Sequence, residues 1–266
     1  MFNPIRLIDT SATAGRSTGE EGGVSGEAPQ AAHVLAAVRA STARRHELLH
    51  EIMPLSVDSV ELHDYLAHLV ILRHWLEPLE PWLASFDDGP QAPAHRAARV
   101  ASDRDAHSFA DSTAARSPVI PHANPAAQGM TRLALIAADL AHESVSARER
   151  ADLVSLVSAA RGWSGVESAA YRWGVCYVIE GSQLGGAVLY AKLKDRLAPH
   201  PLGYLSAGRA SLGPRWQAFV RAMCDEVQGA AGVEEACRGA ADAFDRLIEL
   251  AGTAPRATRA ICASAD

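Results

Sequence analysis

Apolar residues recur at spacings of three, four and seven along residues 31–53, where Leu35, Val38, Leu49 and Ile52 share one face with Thr42 and His46. The spacing predicts a helix over 31–53, ended by Pro54. A second stripe, Tyr65, Leu69, Leu72 and Leu76, predicts a helix capped by Asp58 or Ser59 and kinked or ended at Pro78 and Pro81. Shorter helices are predicted over 131–142, with Leu133, Ile136 and Leu140 inward, and over 147–160, where Ser146 and Glu149 make a capping box. Residues 164–197 read as one long helix with a weak middle, followed by helices over 214–229 and 233–250. The stretch 87–129, with Pro90, Pro93, Pro118, Pro121 and Pro125, supports only a short helix near 95–110. No strand pattern and no internal repeat emerge, so the predicted fold class is all-α.

The pattern places one helical domain over 31–250. Residues 1–30, rich in Gly, Ser, Thr and Glu without periodicity, are expected to be a disordered tail, and 251–266 a frayed one. With 266 residues, 48% of them hydrophobic, the chain can bury a sizeable core. A net charge of −6 argues against non-specific nucleic-acid binding and against a basic membrane patch. Cys176, Cys224, Cys237 and Cys262 form no C-x-x-C pair, which suits a reducing compartment. No signal-peptide pattern and no uninterrupted apolar window of about 18 residues occur, so the expected location is the cytoplasm.

Two segments carry candidate chemistry. The first is His46-Glu47-Leu48-Leu49-His50, which matches H-E-x-x-H, two zinc ligands one turn apart with a Glu base. The extended zinc-protease motif fails, because Met53 stands where Gly is required and Ser56 where the third His is required. A non-haem di-iron site needs carboxylates and E-x-x-H pairs from several helices; Glu47-x-x-His50 is one pair, and Glu143 and Glu180 stand isolated. The second segment is Gly181, Gly185 and Gly186 inside the long helix, each costing about 0.5–1 kcal/mol against Ala. Such a face serves either tight helix packing or close approach of backbone to a flat ligand. Glu180, Ser182 and Gln183 beside it favour a ligand pocket.

Tyr177-Val178-Ile179-Glu180-Gly181-Ser182-Gln183-Leu184-Gly185-Gly186 resembles the distal helix of haem oxygenases, particularly the bacterial biliverdin-producing branch. Thr42-Ala43-Arg44-Arg45-His46 resembles the same family's proximal T-x-x-x-H, and Asp139-Leu140 its interior helix. The resemblance implies a helical bundle holding haem between a proximal helix and a kinked distal helix. It implies His46 as the axial iron ligand, and Gly181, Ser182, Gly185 and Gly186 as the distal pocket. Arg39, seven before His46, and Arg221 stand where a propionate-binding Arg is expected, and Tyr177 is placed to reach a propionate or the distal side. The implied reaction is oxidative opening of haem, at once cofactor and substrate, by O2 and electrons to biliverdin, ferrous iron and carbon monoxide. Implied partners are a ferredoxin- or reductase-type electron donor and, where the product becomes a chromophore, a biliverdin-accepting phytochrome. Two positions depart from the pattern. Ser182 replaces the Asp of animal enzymes, as in bacterial relatives. His50 stands where a carboxylate usually orients the axial imidazole, which keeps open a haem-binding or haem-sensing relative with impaired catalysis.

Overall fold

A computed structural model of the chain describes residues 27–57, 59–90, 130–154 and 162–253, and only the backbone of 27–32 and 154. The helix expected near 95–110, the Asp58 cap, Cys262 and most of both expected tails lie outside the described residues. Among the described residues the helices are, in chain order, α1 (Glu27–Ile52), α2 (Leu62–Ala84), α3 (Arg132–Leu140), α4 (Ala147–Val154), α5 (Ala169–Leu193), the single turn α6 (Gly203–Ser206), α7 (Leu212–Glu226) and α8 (Gly229–Thr253). Short 3-10 turns follow α1 at Pro54–Ser56 and precede α7 at Arg209–Ser211. The architecture is all-α, and among the described residues no helix is long and apolar enough to cross a membrane.

Helix α5 runs through the middle. Every residue from Tyr171 to Glu180 is buried, the mark of a helix covered on all sides. It packs most extensively on α8, which also carries α1 on another face. Two glycines make the α5–α8 crossing close. A Cβ on Gly174 would stand 1.9 Å from the Ala236 carbonyl oxygen, and one on Gly239 would stand 2.0 Å from that of Tyr171. Neither position has room for a side chain. α2 is locked to α8 by Trp75, fully buried, whose indole N–H donates 3.0 Å to the Ala243 carbonyl. α7 packs on both α1 and α5. Because α1 and α5 both lean on α8 but hardly on one another, a gap opens between them, and the candidate site occupies it.

Several boundaries differ from those expected. α2 continues through Pro78 and Pro81 to Ala84. The lost N–H groups are outweighed by burial of Leu76, Leu79 and Leu83, each contributing about 1.5–3 kcal/mol. Its start is set by Glu61, whose backbone N–H donates 2.8 Å to the Asp64 carboxylate, and not by Ser59. α5 begins at Ala169 and not at 164, because the Ser168 hydroxyl accepts from the Tyr171 N–H at 3.2 Å. It then runs unbroken through Gly181, Gly185 and Gly186. The weak middle is therefore a stretch of helix held by its neighbours. The Ser146–Glu149 capping box forms as expected, with bonds of 2.8 and 3.2 Å.

Candidate functional site

Between α1 and α5 lies a cavity of about 310 Å3, within the size range of small-molecule sites. α1 supplies Arg39, Thr42, Ala43, His46, Glu47 and Leu49. α5 faces it with Tyr177, Val178, Gly181, Ser182, Leu184 and Gly185. Trp216 from α7 and Phe244 and Leu247 from α8 complete the walls. The site is thus mostly apolar and slot-like, with a few polar groups placed around it.

His46 is half-buried and meets the Phe244 ring edge-on, centroids 6.1 Å apart. Burial, then the neighbouring His50, lower its pKa, while Glu47 pulls the other way. The imidazole is accordingly held neutral, the form that can bind a metal ion. Among the described residues its ring has no hydrogen-bond partner. Thr42 is buried, and its hydroxyl donates 2.8 Å to the Val38 carbonyl one turn back, so its methyl is free to face the slot. Across the gap, a Cβ on Gly185 would meet nothing within 4 Å, and one on Gly181 would come 3.8 Å from Trp216. Both glycines therefore leave backbone bare toward the cavity. The Ser182 hydroxyl donates 2.7 Å to the Ile179 carbonyl, which turns it along its own helix.

Arg39 lies at the edge of the slot beside Tyr177. Burial pushes the Tyr177 phenol up, and the Arg39 guanidinium draws it back by charge and hydrogen bonding. Arg39 Nε is itself buried and has no hydrogen-bond partner among the described residues.

Of the candidate residues, His46, Arg39, Tyr177, Gly181, Ser182 and Gly185 come together on one cavity. Gly186 and Arg221 do not line it. Gly186 faces α6, where a Cβ would stand 3.4 Å from Leu205, and Arg221 is exposed on α7. His50 is exposed, and only its backbone carbonyl is engaged, by the Ser56 hydroxyl. Glu180 and Gln183, expected beside the glycines in the pocket, are drawn off it. Glu180 pairs with Arg132 and Arg215, and Gln183 donates 3.0 Å to the Tyr204 hydroxyl. Glu47, which helical spacing puts off the His46 face, does reach the cavity wall. Trp216 and Phe244 were not foreseen; their signal was only the apolar stripes of α7 and α8. Among the described residues no group of three or more His, Cys, Asp and Glu is placed to hold a metal ion.

Fold and pocket together define a class: an all-α protein offering a neutral histidine to a largely apolar cavity that glycines and an arginine also line. No protein-family model matches the chain. Over 80 residues it is 40% identical to a protein named heme oxygenase from Xanthomonas campestris pv. campestris (strain 8004). The match takes in 29% of this chain and 47% of the relative, so the chain spans about half the length of that curated relative.

Proposed function

We propose that this chain is a haem oxygenase, opening haem with O2 and externally supplied electrons to give biliverdin, ferrous iron and carbon monoxide. The carrying observation is the convergence of His46 and the Gly181–Gly185 face on opposite walls of one cavity. The residues present fit haem. The slot is apolar and flanked by Trp216 and Phe244, as a porphyrin face requires. The bare wall at Gly185 admits a flat macrocycle where any side chain would intrude. The orphaned Arg39 Nε is a ready partner for a propionate carboxylate. The similarity to a protein named heme oxygenase supports the same reading.

When bound, haem supplies the redox chemistry and is itself the substrate. The chain's own residues would position it. His46 would offer one ring nitrogen to the iron, its neutrality assured by burial. Arg39, with the Tyr177 hydroxyl beside it, would fix the propionate edge and so the in-plane orientation. Leu49 of α1 with Phe244 and Leu247 of α8 would present an apolar wall to the ligand, while Gly181 and Gly185 would leave room on the α5 wall for a small molecule. Ser182 Oγ, its proton committed to Ile179, presents acceptor lone pairs beside that face. A ferredoxin- or reductase-type donor would supply the electrons.

One observation favours a second reading. His46 has no carboxylate or carbonyl orienting its ring among the described residues, and His50 points to solvent. That arrangement suits a protein that binds haem without degrading it. Aerobic incubation of the hemin-loaded protein with a reductant separates the two. An oxygenase loses its Soret band while the red absorption of biliverdin rises; a haem-binding protein keeps its Soret band.

A further inference from the structure

Among the described residues, two carboxylates and two guanidinium groups cluster along the flank of the pocket. Glu180, 6% exposed, accepts from Arg132 Nη2, and its other oxygen stands 3.2 Å from Arg215 Nε. Arg132 Nη1 lies 3.9 Å from Glu80, itself buried. Four helices meet there: Glu80 on α2, Arg132 on α3, Glu180 on α5 and Arg215 on α7. Burial opposes the charge on Arg132, but Glu180 and Glu80 outweigh it and hold that guanidinium above its ordinary pKa. For Arg215 burial wins over Glu180, which lowers its pKa. The two arginines are thus unequal partners. Among the described residues Arg132 stands beside two carboxylates, Glu180 and Glu80, and Arg215 beside Glu180.

The position of the cluster is what links it to the pocket. Glu180 and Gly181 are consecutive on α5, and Arg215 and Trp216 are consecutive on α7. The ion pair Glu180–Arg215 therefore sits one residue from the approach of Gly181 to Trp216, whose ring lies 3.8 Å from where a glycine Cβ would be. Trp216 is in turn packed by Tyr177, centroids 5.6 Å apart, and stacked on Phe219 at 5.7 Å. Each of these aromatic contacts tolerates sliding. The Glu180–Arg215 contact at 3.2 Å is a buried ion pair, and removing one member leaves a buried charge without its counter-charge. The pair is thus a charged tie between α5 and α7 beside the pocket.

We propose that Glu180, held by Arg132, is a positioning residue that clamps Arg215 and thereby fixes the spacing between Gly181 and Trp216, which sets how a planar ligand seats in the slot. This deepens the haem reading and rests on it. The clamp touches neither haem nor iron. It acts by keeping one wall at a set height, so that Arg39 at the edge and Trp216 at the side allow a single in-plane orientation. Without it, α7 can shift along α5, and the slot admits the ligand in more than one seating.

The test compares Arg215→Gln and the double variant Glu180→Gln/Arg215→Gln with the parent, each loaded with hemin in the ferric, cyanide-inhibited form. The double variant removes opposite charges together and keeps the 3.9 Å contact of Arg132 with Glu80, so it leaves no Glu180 carboxylate stranded opposite a missing Arg215. The readout is the pattern of paramagnetically shifted haem methyl proton resonances, which reports orientation within the pocket and does not depend on turnover. The expected result is a retained Soret band, because His46 is intact, together with a second set of methyl signals or a changed ratio of sets. A folded double variant with the parental methyl pattern overturns the clamp. A parent that shows no Soret band with hemin instead defeats the haem reading itself.

Discussion

At the scale of single residues, His68 shows how much a buried group can contribute without touching the pocket. Its Nδ1 is buried on α2 with no hydrogen-bond partner, and burial lowers the imidazole to about 4. An unfolded histidine takes up its proton near pH 6.5. As pH falls below that value the unfolded chain is protonated first, so stability is intact above pH 6.5 and declines toward pH 4. The linkage amounts to about 3 kcal/mol over that window. Denaturant midpoints measured from pH 7.5 to pH 4.5 should show this fall, and His68→Leu should flatten it; an equally steep fall in the variant would contradict the assignment. Residues on one local face were legible in sequence, and His46 and Thr42 share the slot as their four-residue spacing implied. Glu180 was not legible. Its partners Arg132 and Arg215 come from distant helices, and no local periodicity brings them together.

At the scale of helices, the glycines of α5 divide into two kinds with opposite consequences. Gly174 on α5 and Gly239 on α8 are spacers, because a Cβ on either would strike a backbone carbonyl that cannot move independently. Gly174→Ala or Gly239→Ala should lower stability by about 3 kcal/mol or more, read as a large drop in the thermal midpoint or as loss of soluble protein. Gly185 is a pocket glycine with open space at its Cβ position. Gly185→Ala should raise the stability of the ligand-free protein by up to about 1 kcal/mol through helix propensity. The same methyl group should cost hemin binding about 1–3 kcal/mol, because it fills the slot. Stability and affinity moving in opposite directions would mark Gly185 as a binding residue; a fall in both would make it a packing residue. The sequence showed three costly glycines but not whether α5 would break. It stays helical because its first half is buried on all sides, and Gly186 proved to face α6. Likewise, Pro78 and Pro81 predict a kink or an end in α2, and the helix continues through both to Ala84.

At the scale of the molecule, one buried carboxylate ties three helices together. Asp139 on α3 accepts from the Tyr65 hydroxyl of α2 at 2.6 Å and from the α6 backbone N–H groups of Gly203 and Tyr204 at 2.9 and 2.8 Å. His200 adds a 3.0 Å contact to the Asp139 carbonyl. Asp139→Asn replaces one acceptor oxygen with a donor facing donors, at a cost of about 1–3 kcal/mol. Its thermal midpoint should fall by roughly 2–4 °C per kcal/mol while the hemin Soret maximum stays in place, since Asp139 does not line the pocket. The all-α class could be read from periodicity alone. The packing of α1 and α5 side by side on α8 with a gap between them could not, and that arrangement creates the cavity.

The account stands or falls on whether His46 holds haem in that cavity. The most direct measurement is a hemin titration of the parent and of His46→Ala, followed by visible absorption. The account predicts a saturable Soret band in the parent that collapses or shifts in His46→Ala and is restored in part by added imidazole. A parent without a Soret band, or a His46→Ala spectrum identical to the parent's, would contradict it.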